Sequence, residues 1–394
     1  MSASADIAII GGGVMGSAIA WFLKAVHGFP GLVTVIEPDP TYAEGATARS
    51  LGSLRQQFST PANILMSRFG LAFVRDVGRH LCVPGEPAPD VQFREGHYLF
   101  IATDRGADAL RDNVTVQRAT GSDVALLTPA ELKDRMPWIN VHDVALAALG
   151  QSGEGWLDPW ALLKAFRAAA VHAGAVYVRD RVRRIDSDGR RVSGLELESA
   201  GHLTAGQVVI AAGPWSGSVA ALAGVDLPVV PRRRTVFTVT TPAPPPDPVL
   251  IVDPSGVYVR PEGQGFLTGS SPLPGEPDPD GGLLEPDYSQ FEERCWPALA
   301  NRAAGFETLR MTGAWAGYYD YNSFDQNAVL GPHAGIANLY FATGFSGHGL
   351  QQSPAVGRAL AEWLLTGASR SLDLDAFRHD RIPEGRPLVE RGII

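Results

Sequence analysis

Residues 6–25 read "DIAIIGGGVMGSAIAWFLKA". An apolar run of strand length passes through three consecutive glycines into a stretch of helix formers. Gly11, Gly13 and Gly16 stand in the spacing G-x-G-x-x-G. "GLVTVIEPD" (31–39) then supplies a second apolar strand ending in Glu37. Strand, glycine turn, helix and strand make a βαβ unit. Gly11 permits the tight turn, Gly13 lets a pyrophosphate approach the backbone at the helix N-terminus, and Gly16 lets helix pack on strand. Glu37, 21 residues after Gly16, suits a ribose diol and disfavours a 2′-phosphate. A tight turn without a ligand explains the glycines but not the acid. The stretch predicts a dinucleotide site, with Val14, Met15 and Pro38 beside it.

Outward from this unit, 394 residues exceed one core, and two domains are expected. The apolar fraction of 45% supplies a core, yet runs such as "VVIAA" (208–212) are far too short to span a bilayer. A net charge of −9 with scattered basic residues argues against a nucleic-acid partner. "RRR" at 232–234 is the densest basic spot and reads as a solvated loop. Cys82 and Cys295 are far apart and form no CxxC, which points to a reducing compartment and no metal site. "MSASADIAIIGGG" carries no basic region before an apolar one, and a cytoplasmic location is the expectation.

"EGATARSLGSLRQQFS" (44–59) reads as a loop, Pro61 to Arg79 as helix, and "VQFREGHYLFIAT" (91–103) as a strand or hairpin. Asp158 is an N-cap with Pro159 at the first helical position. "AVYVRDRVRRID", "RVSGLELES" and "GQVVIAAGPWS" give strands between 175 and 216. From Val229 to about Trp315, proline clusters separate short β segments, the pattern of an antiparallel sheet. A strand "LYFATGFS" and a final amphipathic helix follow. The expected architecture is α/β: a Rossmann-like nucleotide domain from 1–85, 150–228 and 316–394, interleaved with an antiparallel-sheet substrate domain from 86–149 and 229–315. Several remote strands ending in glycine suit a long cofactor stretched through the domain, so FAD fits better than NAD.

These motifs together resemble the D-amino-acid oxidase/sarcosine oxidase superfamily of FAD-dependent oxidoreductases over nearly the whole length. "GWLDPWALL" (155–163), "WAGYYDYNSFDQNAVLGPH" (315–333) and "YFATGFSGHGLQQSPAVGRALAE" (340–362) resemble the bacterial relatives of the mitochondrial FAD-dependent oxidoreductase domain-containing protein tied to complex I assembly. The resemblance implies further FAD contacts at Thr47, Ser53, Leu54, Val182, Ala212, Gly213, Trp215, Gly344, Ser346, Gly347, His348, Gly349 and Leu350. It lays "GFSGHGL" (344–350) along the pyrimidine side of the flavin. There the N–H groups of Gly347, Gly349 and Leu350 would stabilise the negative charge of the reduced ring. His348 either faces the ring or caps the loop, and a tight strand-to-helix turn with an incidental histidine is the plainer alternative.

On the substrate side, Arg55 matches the arginine that anchors the substrate carboxylate in monomeric sarcosine oxidases. A guanidinium fork suits a carboxylate, although a solvated loop or a flavin contact also accounts for it. Tyr258 and Arg260 match the strand that roofs the substrate, two apart and so able to share a face. A core position is the bland reading of Tyr258. His97 and Tyr98 are secondary candidates. Tyr319 and Asp325 either line the cofactor edge or pack a domain seam. Gly317 stands where sarcosine oxidases carry the cysteine that tethers flavin, so the FAD is expected to be non-covalent. Leu267 and Gln351 stand where those enzymes carry lysines.

The expected reaction is oxidation of a C–N bond of an amino acid or secondary, N-methyl-type amine by hydride transfer to FAD. Oxygen or another acceptor would reoxidise it. The resemblance leaves a second reading open, an assembly factor with a protein partner and a mainly structural FAD.

Overall fold

A computed structural model describes residues 3–273, 275–279 and 281–391. Residues 1–2 and 392–394 of the outer nucleotide-domain segments, and Pro274 and Asp280 of a proline cluster, lie outside the described residues.

Ala3–Ile10 forms the centre of the first sheet because its second half, Ile7–Ile10, is apolar on both faces. Ile7 and Ile9 point into one core, Ala8 and Ile10 into another. A parallel strand covered on both sides reads as this kind of unbroken apolar run. Each large aliphatic buried there contributes roughly 1.5–3 kcal/mol. The parallel strands lie in the order Val176–Arg179, Val33–Glu37, Ala3–Ile10, Gly201–Ile210, Leu339–Thr343. One edge of Gly201–Ile210 has two successive partners. Its first half pairs antiparallel with Val192–Leu197 and its last three residues pair parallel with Leu339–Thr343. Val182–Ser187 and Val329–Pro332 extend the sheet antiparallel.

Helices Val14–Trp21, Pro159–His172 and Gly349–Thr366 cover one face. The final helix crosses the first at Gly357, where a Cβ would stand 2.8 Å from the Ala18 Cβ. Helix Pro61–Arg75 meets the start of the final helix at Gly70, where a Cβ would stand 2.0 Å from the Gln351 carbonyl oxygen. Asp158 caps Pro159–His172, its Oδ1 accepting from the N–H groups of Trp160 (2.9 Å) and Ala161 (3.0 Å).

The second sheet pairs Val229–Thr240 with Arg310–Asn322 over nearly their full length. It continues through Gly265–Ser270, Val257–Glu262, Leu250–Val252, Tyr98–Ala102, Leu146–Gly150 and Val124–Leu127. All neighbours are antiparallel except Leu250–Val252 with Tyr98–Ala102, which run parallel. One face packs Leu99, Ile251, Val259 and Phe237 under helices Pro129–Arg135 and Trp296–Arg302. The opposite face carries Tyr98, Phe100, Leu250 and Val252. A small third sheet holds Glu154–Trp156 between Ser53–Leu54 and Arg94–Gly96.

Four local readings change. The helix expected over 61–79 breaks at Asp76 into Pro61–Arg75 and Val77–His80. Residues 91–103 divide between two sheets, as Arg94–Gly96 and Tyr98–Ala102. Residues 107–119 and 129–135 are helices that the β-rich reading of this region did not give. "RRR" is no solvated loop: Arg232, Arg233 and Arg234 lie within strand Val229–Thr240. Arg234 donates from Nη1 (2.5 Å) and Nη2 (3.0 Å) to the Asp278 carboxylate. Among the described residues no helix is long and apolar enough to cross a membrane.

Candidate functional site

The glycine turn after Ala3–Ile10 is shaped by the backbone around it. Gly11 has φ +106°, and a Cβ there would lie 2.3 Å from the Ala211 carbonyl oxygen. At Gly16 a Cβ would lie 1.9 Å from the Gly11 carbonyl oxygen. Gly13 differs, because a Cβ would meet only Thr47 Oγ1, at 3.6 Å. The first and third glycines are thus demanded by the fold, whereas the second opens onto free space at a helix N-terminus. That opening is what close approach of a pyrophosphate needs. Glu37 Oε2 accepts from the Gly12 N–H at 2.8 Å and Oε1 from the Asp39 N–H at 3.0 Å. Burial raises its carboxyl above the ordinary value, opposed by those two N–H groups.

From this turn a cavity of 620 Å³ runs between the first and second sheets. It is lined by Gly11, Gly13, Val14, Met15, Glu37, Pro38, Thr47, Ser53, Val182, Ala212, Gly213, Trp215, Gly347, His348, Gly349 and Leu350. Arg55, Tyr98, Tyr258 and Tyr319 line it too. The chain therefore brings most of the sequence candidates to one space. The glycine turn, the open Gly13, Glu37 and the 620 Å³ cavity they border fit a dinucleotide.

Some candidates lie elsewhere. Gly16 and Leu54 are packed into the protein, Leu54 at 2% exposure. Gly344 and Ser346 shape the turn from behind: Ser346 Oγ accepts the Asn322 N–H at 3.0 Å. Arg260 is off the cavity, its Nη2 paired with Glu262 at 2.7 Å and its Cζ 5.2 Å from the Trp156 ring centroid. The shared face with Tyr258 does not bring it to the lining, since residues two apart lie several ångströms along a strand. Asp325 makes a buried ion pair with Arg381 at 2.7 Å and anchors the C-terminal segment. His97 Nδ1 lies 2.8 Å from the Gly150 carbonyl oxygen, also off the lining. Leu267 is core.

The turn at 344–349 presents backbone to the cavity, with Gly347 exposed and His348 and Gly349 half-buried. A Cβ on Gly347 would stand 2.6 Å from the Tyr319 ring, so only glycine fits. Asp320 holds the turn, its Oδ2 accepting from the Phe345 N–H at 3.0 Å. Burial pushes the Asp320 carboxyl up to about 6.

Arg55, 7% exposed, lines the cavity next to this turn. Its guanidinium lies between Phe58 and Phe100, 4.6 and 5.3 Å from their centroids. Nη2 donates to His348 Nε2 at 2.9 Å. Nη1 has no partner, and among the described residues no carboxylate is within ion-pair distance of Arg55. Burial lowers its pKa, although Tyr98, Glu390 and Glu154 oppose this. Burial, then the Arg55 charge, hold His348 down at about 3, so the imidazole is neutral. Arginine can only donate, so Nε2 is the acceptor and the ring proton sits on Nδ1.

Residues that the sequence reading passed over complete the site. Gln351, considered only as a lost lysine, accepts the Arg55 N–H on Oε1 at 2.6 Å. Arg49 lines the cavity beside Gly317, where a Cβ would stand 3.0 Å from the Arg49 Cβ. Its Nη1 donates to the Ala316 carbonyl oxygen at 2.8 Å. Arg234 and Asp320 also line the space. The arginines of 44–59 were visible as loop cations, but nothing local tells which of them turns inward.

The comparisons with known proteins agree with this geometry. The FAD-dependent oxidoreductase domain-containing protein 1 of Xenopus laevis is 43% identical over 427 residues, covering 99% of this chain and 85% of that protein. A glycine oxidase of Geobacillus kaustophilus is 28% identical, covering 94% of this chain and 96% of that one. The crystal structure of an L-proline dehydrogenase from P. horikoshii superposes with a TM-score of 0.85 at 24% identity, over 98% of this chain and 100% of that one, and shares its fold. The family model described as "FAD dependent oxidoreductase" matches residues 6–363, and the chain belongs to that family.

Proposed function

We propose that this FAD-dependent oxidoreductase oxidises the C–N bond of an amino acid or a secondary, N-methyl-type amine that carries a carboxylate. Arg55 carries the reading: it is a buried cation on the cavity wall with an unpartnered Nη1 and no carboxylate partner among the described residues. A buried charge left unpaired is costly, and a ligand carboxylate would pair it. The distant similarity to a protein named glycine oxidase supports the same substrate class.

Bound FAD supplies the acceptor for the hydride and its two electrons. The protein supplies position. Arg55 holds the carboxylate, and Tyr98 and Tyr258 roof the space above it and keep water out. Gly347, Gly349 and Leu350 line the cavity at or just before the start of the final helix, and their N–H groups would stabilise negative charge on the reduced ring there. Neutral His348 adds no second cation beside Arg55.

Non-covalent attachment of FAD belongs to the same proposal. Gly317 offers no thiol, and neither Cys82 nor Cys295 lines the cavity. The division into a nucleotide domain around the first sheet and a substrate domain around the second is likewise proposed. The deciding experiment is an anaerobic screen of secondary and D- or L-amino acids, read as bleaching of the flavin band. Bleaching by a carboxylate-bearing amine supports the proposal. FAD retained without bleaching across the panel would favour a structural flavin instead.

A further inference from the structure

Glu154 lies behind the carboxylate site, 1% exposed, in the small third sheet. Its Oε1 accepts the Gln56 N–H at 2.8 Å, and its Oε2 accepts from Gln57 Nε2 at 3.0 Å. Gln57 Nε2 also donates to the Tyr98 carbonyl oxygen at 3.1 Å. Gln56 Nε2 donates to the Gly153 carbonyl oxygen at 2.7 Å. The two residues that follow Arg55 are therefore fastened to this carboxyl, and through it to the strand that carries Tyr98. From the other side Gln351 fastens the Arg55 N–H. The surrounding chain is cut to fit: a Cβ on Gly150 would stand 1.8 Å from Glu154 Oε2, and one on Gly153 2.3 Å from Gln56 Nε2. Among the described residues no cation lies within ion-pair distance of Glu154.

We infer that Glu154 is a positioning residue that aims Arg55 into the cavity and tunes, through its own charge, how strongly that arginine holds an anionic ligand. The inference rests on the reading of Arg55 as a carboxylate site. Burial pushes the Glu154 carboxyl up to about 7, opposed by the donors on Gln56 and Gln57 and by the Arg55 charge. Above that pH Glu154 carries a negative charge within electrostatic reach of the arginine, though not paired with it, and this opposes an incoming carboxylate; below it the charge is gone. The other titratable groups facing Arg55 are His348, Tyr98, Glu390 and Tyr319. His348 is held neutral, and Tyr98 is raised above its ordinary value by burial. Glu390 is engaged by Asn63 Nδ2 at 2.9 Å. His97, bonded to the Gly150 carbonyl oxygen, is the remaining imidazole near Glu154.

The test uses the FAD-loaded protein and acetate and benzoate as probes, with dissociation constants read from the perturbed flavin spectrum between pH 5.5 and 9. In the parent protein affinity should fall roughly tenfold as pH rises through about 7, the size expected for one neighbouring charge at the effective dielectric of a protein. Glu154→Gln should bind with a pH-independent constant close to the low-pH value, and His97→Asn should keep the parent profile. If Glu154→Gln does not fold, Gln57→Met removes one donor to the ionised carboxyl and should move the inflection to higher pH. A flat parent profile, or an unchanged profile in Glu154→Gln or Gln57→Met, overturns the inference. Absence of probe binding at every pH removes the carboxylate site itself, and this inference with it.

Discussion

Arg55 Nη2 and His348 Nε2 stand 2.9 Å apart, which joins the loop after the first helical unit to the glycine turn before the last helix. One wall of the cavity thus pairs a fixed cation with a neutral imidazole, and the guanidinium keeps Nη1 for a ligand.

Replacing that cation separates binding from folding. Arg55→Met should raise the KM for a carboxylate-bearing amine by about 100-fold, the loss of a charge-assisted hydrogen-bonded pair. FAD content and the melting temperature should stay near the parent values. Arg55→Lys should recover only part of the loss, since an ammonium lacks the planar fork. Steady-state kinetics beside flavin quantitation check both.

Gln351→Lys should lower activity rather than raise it. The substitution removes the acceptor of the Arg55 N–H. It also sets two cations side by side. A rise in KM of about tenfold or more is expected, from one lost buried hydrogen bond and added repulsion.

His348 makes folding depend on pH in a known direction. Its folded value of about 3 lies below the ordinary histidine value. As pH falls below about 6.5, the unfolded chain takes up a proton that the folded chain refuses, so this contribution to stability is lost between about 6.5 and 3. It is fully present above that window. His348→Gln should flatten the fall in melting temperature between pH 7 and 4, measured by calorimetry.

The fingerprint glycines should part company on substitution. Gly16→Ala should cost roughly 1–3 kcal/mol of stability with or without FAD, because the new methyl meets the Gly11 carbonyl. Gly13→Ala should leave the apoprotein melting temperature within a degree or two, yet weaken FAD binding by about tenfold or more, because only the cofactor needs that space. Apoprotein melting and FAD titration distinguish the two.

Acid precipitation should release all the yellow colour to the supernatant. Gly317 offers no thiol, and the space beside it is taken by Arg49. A coloured pellet would show a covalent bond.

The sequence made the nucleotide end legible because its evidence is local: strand, glycines, helix and acid all fall between residues 3 and 37. The turn at 344–350 was visible locally as glycines between a strand and a helix, but its role came only from the family resemblance. Side chains whose roles depend on distant partners were not legible. Asp325 could be read as lining the cofactor edge or packing a seam, and its partner Arg381, which decides between them, lies 56 positions on. Arg260 was placed by strand alternation, which gives a side chain's face but not how far along the strand the cavity extends. Glu154 sits in an unremarkable "GEGW", and only the folded chain brings Gln56 and Gln57 to it. The arginine run at 232–234 looked solvated because the composition of a proline-rich neighbourhood says nothing about the Asp278 that binds it.

The strand Gly201–Ile210, with its two successive partners on one edge, sets a timetable for biosynthesis. Its neighbours come from the start, middle and end of the polypeptide, so the nascent chain on a ribosome holds its first βαβ unit long before it has the strand at 339–343 that completes the sheet. Because the cavity is lined by residues from Ile10 to Gln351, it is complete only after that last segment has emerged, and a cell starved of riboflavin should accumulate full-length apoprotein rather than stalled fragments.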